Sequence, residues 1–104
     1  MNWNNEKNEK LVEAVLALDT SDEARNFLRD LMTEKEIKEF ANRLQAAQML
    51  SDKVPYTKIE EETGLSSTTV ARVSKWLNQG KGGYKSIIEK LHHHNSIQSR
   101  SGLS

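Results

Sequence analysis

The sequence predicts an all-α protein of six helices, two of them joined by a tight glycine turn. Three observations carry this. A single proline interrupts 104 residues, and no run of β-branched residues reads as a strand. Apolar residues recur at three- and four-residue spacing along most of the chain. Two Thr-x-x-Glu signatures, Thr20 with Glu23 and Thr33 with Glu36, mark helix starts.

Taken in order, residues 1–10 form a polar N-terminal arm. Leu11, Val12, Val15, Leu16 and Leu18 then give a first amphipathic helix ending near Leu18. The Thr20 capping box opens a second helix, whose apolar face is Ala24, Phe27, Leu28 and Leu31. The Thr33 box opens a longer third helix with Ile37, Phe40, Ala41, Leu44, Ala47 and Leu50 inward. Ser51 to Val54 break the pattern, and Pro55 fits the start of a fourth helix, where its missing N–H costs nothing. That fourth helix covers 56–63 and a fifth covers 67–77. Gly80, Gly82 and Gly83 make an exposed connector. A sixth helix, Tyr84 to His93, turns Ile87, Ile88 and Leu91 inward. Residues 11–94 thus form one domain, and residues 95–104 read as a disordered tail.

Composition excludes several classes. There is no cysteine, so disulfide and thiolate chemistry are absent. No apolar run approaches the ~20 residues that span a bilayer, and the first residues lack the apolar core of a secretory signal. The expectation is a soluble, cytoplasmic protein that does not touch membrane. Net charge is zero, which argues against nucleic acid, but the charges are segregated. Between residues 68 and 91, Arg72, Lys75, Lys81, Lys85 and Lys90 face only Glu89. Acidic residues gather upstream at Asp19, Asp22, Glu23, Asp30, Glu34, Glu36 and Glu39. A solvated basic face is the plainer reading of this pattern.

The segment PYTKIEEETGLSSTTVARVSKWL, residues 55–77, is the most specific stretch. It has the layout of a DNA-reading helix-turn-helix. Gly64 sits where the turn wants a positive φ. Ile59, Thr63, Leu65, Val70 and Val73 fall where the two helices must press together. Ser66 or Ser67 caps the second helix. Ser66, Ser67, Thr68, Ala71, Arg72 and Lys75 then face outward, with Thr69 beside them as a further candidate contact. Short hydroxyl side chains let a helix end approach phosphates and base edges. Arg72 suits the O6 and N7 of guanine, and Lys75 a phosphate. An ordinary helical hairpin with Ser/Thr caps would share the local pattern. The run Glu60–Glu61–Glu62 departs from it, because carboxylates facing a duplex would repel phosphate.

LMTEKEIKEFANRL (31–44), YTKIEEETGLSSTTVARV (56–73) and WLNQGKGGY (76–84) together resemble the Trp repressor superfamily, most closely its YerC/YecD-type Trp repressor-like branch. The likeness covers roughly residues 11–91. It implies an intertwined all-helical homodimer placing two recognition helices on double-stranded DNA. In the Trp repressor, tryptophan stacks between two arginines beside the recognition helix. By position Arg43 and Arg72 resemble that pair. A glycine and a small serine that line the pocket there correspond here to Val73 and Trp76. Arg43, Arg72, Val73 and Trp76 are therefore the candidate effector pocket. The bulk of the last two implies that this chain does not respond to tryptophan, with Trp76 packed into that region as core.

His92, His93 and His94 are consecutive, so they point apart on a helix and make no metal site; a polar helix end is the simpler reading. No cofactor is expected. No catalytic constellation is present either, since every histidine lies near the tail. Trp3 reads either as a dimer anchor or as part of a disordered arm. The leading expectation is a non-enzymatic DNA-binding transcriptional regulator, with repressor action as the family's implication. The alternative is a dimeric helical adaptor for other proteins, favoured by the zero net charge and Glu60–Glu62.

Overall fold

The computed structural model describes residues 1–101, with side-chain surroundings through His93. Its regular structure is entirely helical over those residues: α1 (Glu6–Leu16), α2 (Ser21–Leu31), α3 (Glu34–Ser51), α4 (Tyr56–Thr63), α5 (Ser67–Gln79) and α6 (Gly83–Ser101). None of these helices is long and apolar enough to cross a membrane. The chain divides into two compact units, the first over Met1–Ile37 and the second from Lys38 onward.

In the first unit, α1 starts earlier than the apolar spacing implies. Asn5 caps it, its side chain accepting from the N–H groups of Lys7 (2.8 Å) and Asn8 (3.4 Å). Residues 6–10 of the expected arm are therefore helical. The helix also stops at Leu16, short of Leu18. The reason lies in the next helix: the Glu23 carboxylate accepts from the N–H groups of Asp19 (3.0 Å) and Thr20 (3.3 Å), while Thr20 Oγ1 accepts from Glu23 N–H (3.1 Å). That capping box commits the connecting residues to α2. The apolar stripes of α1 and α2 are present, but neither helix buries a single residue. Leu11, Val12, Val15, Leu16, Leu28 and Leu31 all stay exposed, Leu16 at 78%.

The second capping box holds as well. Thr33 N–H donates to Glu36 Oε1 (2.9 Å), and Glu36 N–H donates to Thr33 Oγ1 (3.1 Å). The Thr33 backbone bond, then the Thr33 side-chain bond, lowers the pKa of Glu36 below its ordinary value. α3 closes in a Schellman arrangement: Val54 N–H reaches Met49 O and Lys53 N–H reaches Leu50 O, both at 3.0 Å. Lys53 takes the left-handed position at φ 66 that glycine usually fills.

The second unit owns the core. Ala46, Ala47, Ile59, Val70 and Val73 form one buried cluster, with Met49, Leu50, Val54, Leu65, Tyr84 and Ile88 packed against it. Leu77 is buried too. The α3 side chains in that cluster are the small Ala46 and Ala47, and the Ile59, Val70 and Val73 side chains fill the rest of it. The expected inward face of α3 is corrected at its start: Phe40 and Ala41 are exposed, and only the later turns are covered. α5 runs two residues beyond Leu77, and α6 continues to Ser101, past His93. The expected tail over 95–104 thus overlaps α6 up to Ser101, and residues 102–104 lie outside the described residues.

Candidate nucleic-acid interface

α4 and α5 are the helix-turn-helix. Gly64 ends α4 at φ 73, its N–H donating to Glu60 O at 2.9 Å. A side chain there would meet the steric cost of left-handed backbone. Thr63 is buried but satisfied: its hydroxyl donates to Ile59 O (2.7 Å) and accepts from Leu65 N–H (3.2 Å). The turn is thereby fixed from inside. Val70, Val73 and Leu77 form the inward face of α5.

The opposite face carries the expected side chains. Ser66, Ser67, Thr68, Ala71, Arg72 and Lys75 are all exposed. Thr69 is half-buried and takes part in the helix cap. Ser66 caps α5 by accepting the Thr69 N–H at 3.1 Å, and the two hydroxyls are 3.0 Å apart. Thr69 therefore helps build the cap, whereas Ser67 and Thr68 keep their hydroxyls at the open end of the helix. The first N–H groups of any α-helix lack intrahelical acceptors, and its dipole favours anions there. Cation, hydroxyl and helix end thus share one side of α5. Of the acidic run, Glu60 is half-buried, and Glu62 pairs with Lys58 at 3.6 Å. Such an exposed pair contributes little to stability, but it offsets one of the carboxylates.

The four effector-pocket residues are placed differently from one another. Val73 is core. Arg43 belongs to its own helix: Nη2 meets Glu39 Oε1 at 3.4 Å, and the guanidinium lies 5.4 Å from the Phe40 ring centre. Its Nε is buried without a hydrogen-bond partner among the described residues. Arg72 is exposed and makes no ion pair among the described residues. Trp76 is 53% exposed and lines a shallow depression with Gly80, Lys81, Gly83 and Tyr84. The expectation that Trp76 packs into the core is corrected: it lies on α5 beside the buried Val73 and Leu77 but is itself more than half exposed. Trp3 is exposed beside Glu9, Val12 and Glu13. His92 lines an open cleft with Gln48, Ser51, Asp52, Lys85, Ile88 and Glu89. The consecutive histidines gave no hint of that cleft, because its lining comes from both the end of α3 and α6.

Residues 6–92 match the model of the family described as Trp repressor protein. The uncharacterized protein YerC of Bacillus subtilis is 37% identical over 83 residues, covering 80% of each chain. A TrpR-like protein from Eubacterium eligens superposes with a TM-score of 0.82 at 37% identity, over 86% of this chain and 93% of that one. A Trp repressor candidate from Staphylococcus aureus gives 0.81 at 32% identity, over 88% and 95%.

Proposed function

This chain belongs to the Trp repressor family, and from that membership we propose that it is a homodimeric, sequence-specific transcriptional regulator that represses by occupying an operator. It acts without catalysis, in the compartment that holds the DNA. The observation that carries this reading is the outer face of α5, where Ser66, Ser67, Thr68, Ala71, Arg72 and Lys75 stand free on a helix locked by its buried side. The homodimer is supported by α1 and α2, which bury nothing within their own chain. A second copy would cover those stripes and set two reading helices about one duplex turn apart.

The roles within the face differ. Arg72 discriminates guanine in each half-site, and Lys75 holds a phosphate. Binding-site selection with the purified protein separates them. Arg72→Ala relaxes base choice at one position per half-site, a loss of ~1–3 kcal/mol of discrimination. Lys75→Ala weakens all sites alike. Unchanged base preference in Arg72→Ala would remove Arg72 from that role.

No tryptophan response is part of the proposal. Val73 is buried where the family pocket has glycine, and Arg43 is engaged with Glu39 and Phe40. Calorimetry is expected to detect no L-tryptophan binding at micromolar concentration; measurable heat there contradicts this part.

A further inference from the structure

We propose that the methyl groups of Thr68 and Ala71 read the 5-methyl group of a thymine in each half-site, one or two base pairs from the guanine met by Arg72. The inference rests on the reading of this chain as a DNA-binding regulator and names a second base that its α5 face selects.

Helical period brings the parties together. Thr68, Ala71, Arg72 and Lys75 stand at i, i+3, i+4 and i+7, so they form one stripe along α5, and all four are exposed. Val70, Val73 and Leu77 hold the other side of the helix in the core. The C-terminal half of the stripe is cationic, and its N-terminal half is short and methyl-bearing. The Ala71 side chain can neither donate nor accept a hydrogen bond. Pressed on the oxygen, ring nitrogen or amino group of a base edge, it would take a polar atom out of water without a partner, which costs free energy. The apolar group that the major groove offers is the thymine methyl, and against it two apolar surfaces leave water together.

The hydroxyl run Ser66–Ser67–Thr68–Thr69 divides by task. Ser66 and Thr69 build the helix cap, their hydroxyls 3.0 Å apart. Thr68 lies outside the cap. At an open helical position a β-branched side chain lowers helix propensity, so helix formation does not account for its methyl. Spacing then places the thymine. Thr68 and Arg72 are about 6 Å apart along the helix axis, and successive base pairs are about 3.4 Å apart.

The test uses the full-length protein and a duplex obtained by binding-site selection, with deoxyuridine replacing thymidine at one position at a time. This exchange removes the methyl and leaves the pairing edge unchanged. Fluorescence anisotropy is expected to show about a fourfold loss of affinity at one thymine per half-site, the worth of one buried CH₂ group. Replacing both such thymines is expected to cost roughly 15-fold, the product of the two. At those positions Thr68→Ser, which keeps the hydroxyl and loses the methyl, is expected to bring the thymidine-to-deoxyuridine ratio toward one. Thr68→Val, which keeps the methyl and loses the hydroxyl, is expected to retain it, and Ala71→Gly to reduce it. The two duplexes are compared within each variant, so a variant's own stability cancels. Specific binding that deoxyuridine leaves unchanged at every position overturns the methyl contact while leaving the DNA-binding reading intact. A ratio that survives in both Thr68→Ser and Ala71→Gly overturns the assignment to these residues, because the loss then comes from the deformability of the duplex. Failure to select any duplex sequence removes the regulator reading and this proposal together.

Discussion

Ile59→Ala is expected to destabilise the second unit by about 2–5 kcal/mol. Ile59 has no exposed surface, and with Val70 it is the largest fully buried side chain among the described residues. Its neighbours in the core cluster are small: Ala46, Ala47, Val70 and Val73. Alanines cannot lengthen to fill the void, and the Thr63 hydroxyl is tied to the Ile59 carbonyl, so the turn resists collapse. A domain of this size has on the order of 5–15 kcal/mol in total, which makes the loss a large share. Urea unfolding followed by far-ultraviolet circular dichroism measures it. Ile59→Val is expected to cost only ~0.5–1.5 kcal/mol. A midpoint for Ile59→Ala within error of the natural protein would contradict the packing described for α3, α4 and α5.

The second large effect is on binding. Affinity for duplex DNA is expected to fall roughly 10²-fold between 50 and 200 mM monovalent salt. Arg72 and Lys75 on two reading helices displace about four counterions, and each contributes about −0.9 to the slope of log affinity against log salt. Lys75→Ala removes a charge from each copy and should flatten that slope by roughly 2. Fluorescence anisotropy of a labelled operator fragment provides the slope. Salt-independent binding would point to a contact made by some other surface. The protein's zero net charge does not blunt the effect. The slope counts the cations that meet phosphate and not the net charge of the whole chain.

Local chemistry was the legible part of this chain. Thr20 with Glu23 and Thr33 with Glu36 announce their helices because a capping box involves only four residues. Gly64 announces the turn because few residues accept its backbone angles. The outward set of α5 follows from the same logic: once Val70 and Val73 face inward, the positions of Thr68, Arg72 and Lys75 are fixed by helical period. Asn5 was harder to read, since its run of polar neighbours offers no apolar period to mark the helix start. Ala46 and Leu77 escaped for another reason: the core is built around small side chains, and a search for large apolar ones passes over the first and stops α5 at the second.

Phe40 and Trp76 illustrate a deeper limit. Their spacing says apolar, but whether an apolar residue is covered depends on what packs against it, and periodicity within one chain does not encode a partner. The same holds for the stripes of α1 and α2. Their pattern is that of core-facing helices, yet a single copy leaves them bare. Thr69 shows a smaller version of the problem. It sits among the candidate DNA contacts by sequence, but its bond to Ser66 makes it part of the cap that holds the reading end in shape.

The central claim is that the outer face of α5 enters a major groove. Dimethyl sulfate protection on a selected duplex tests it most directly, because guanine N7 lies in that groove. The account predicts two protected patches about one helical turn apart, with one guanine in each losing its protection when Arg72→Ala replaces the natural protein. A bound complex whose major-groove guanines react as freely as naked DNA would contradict it.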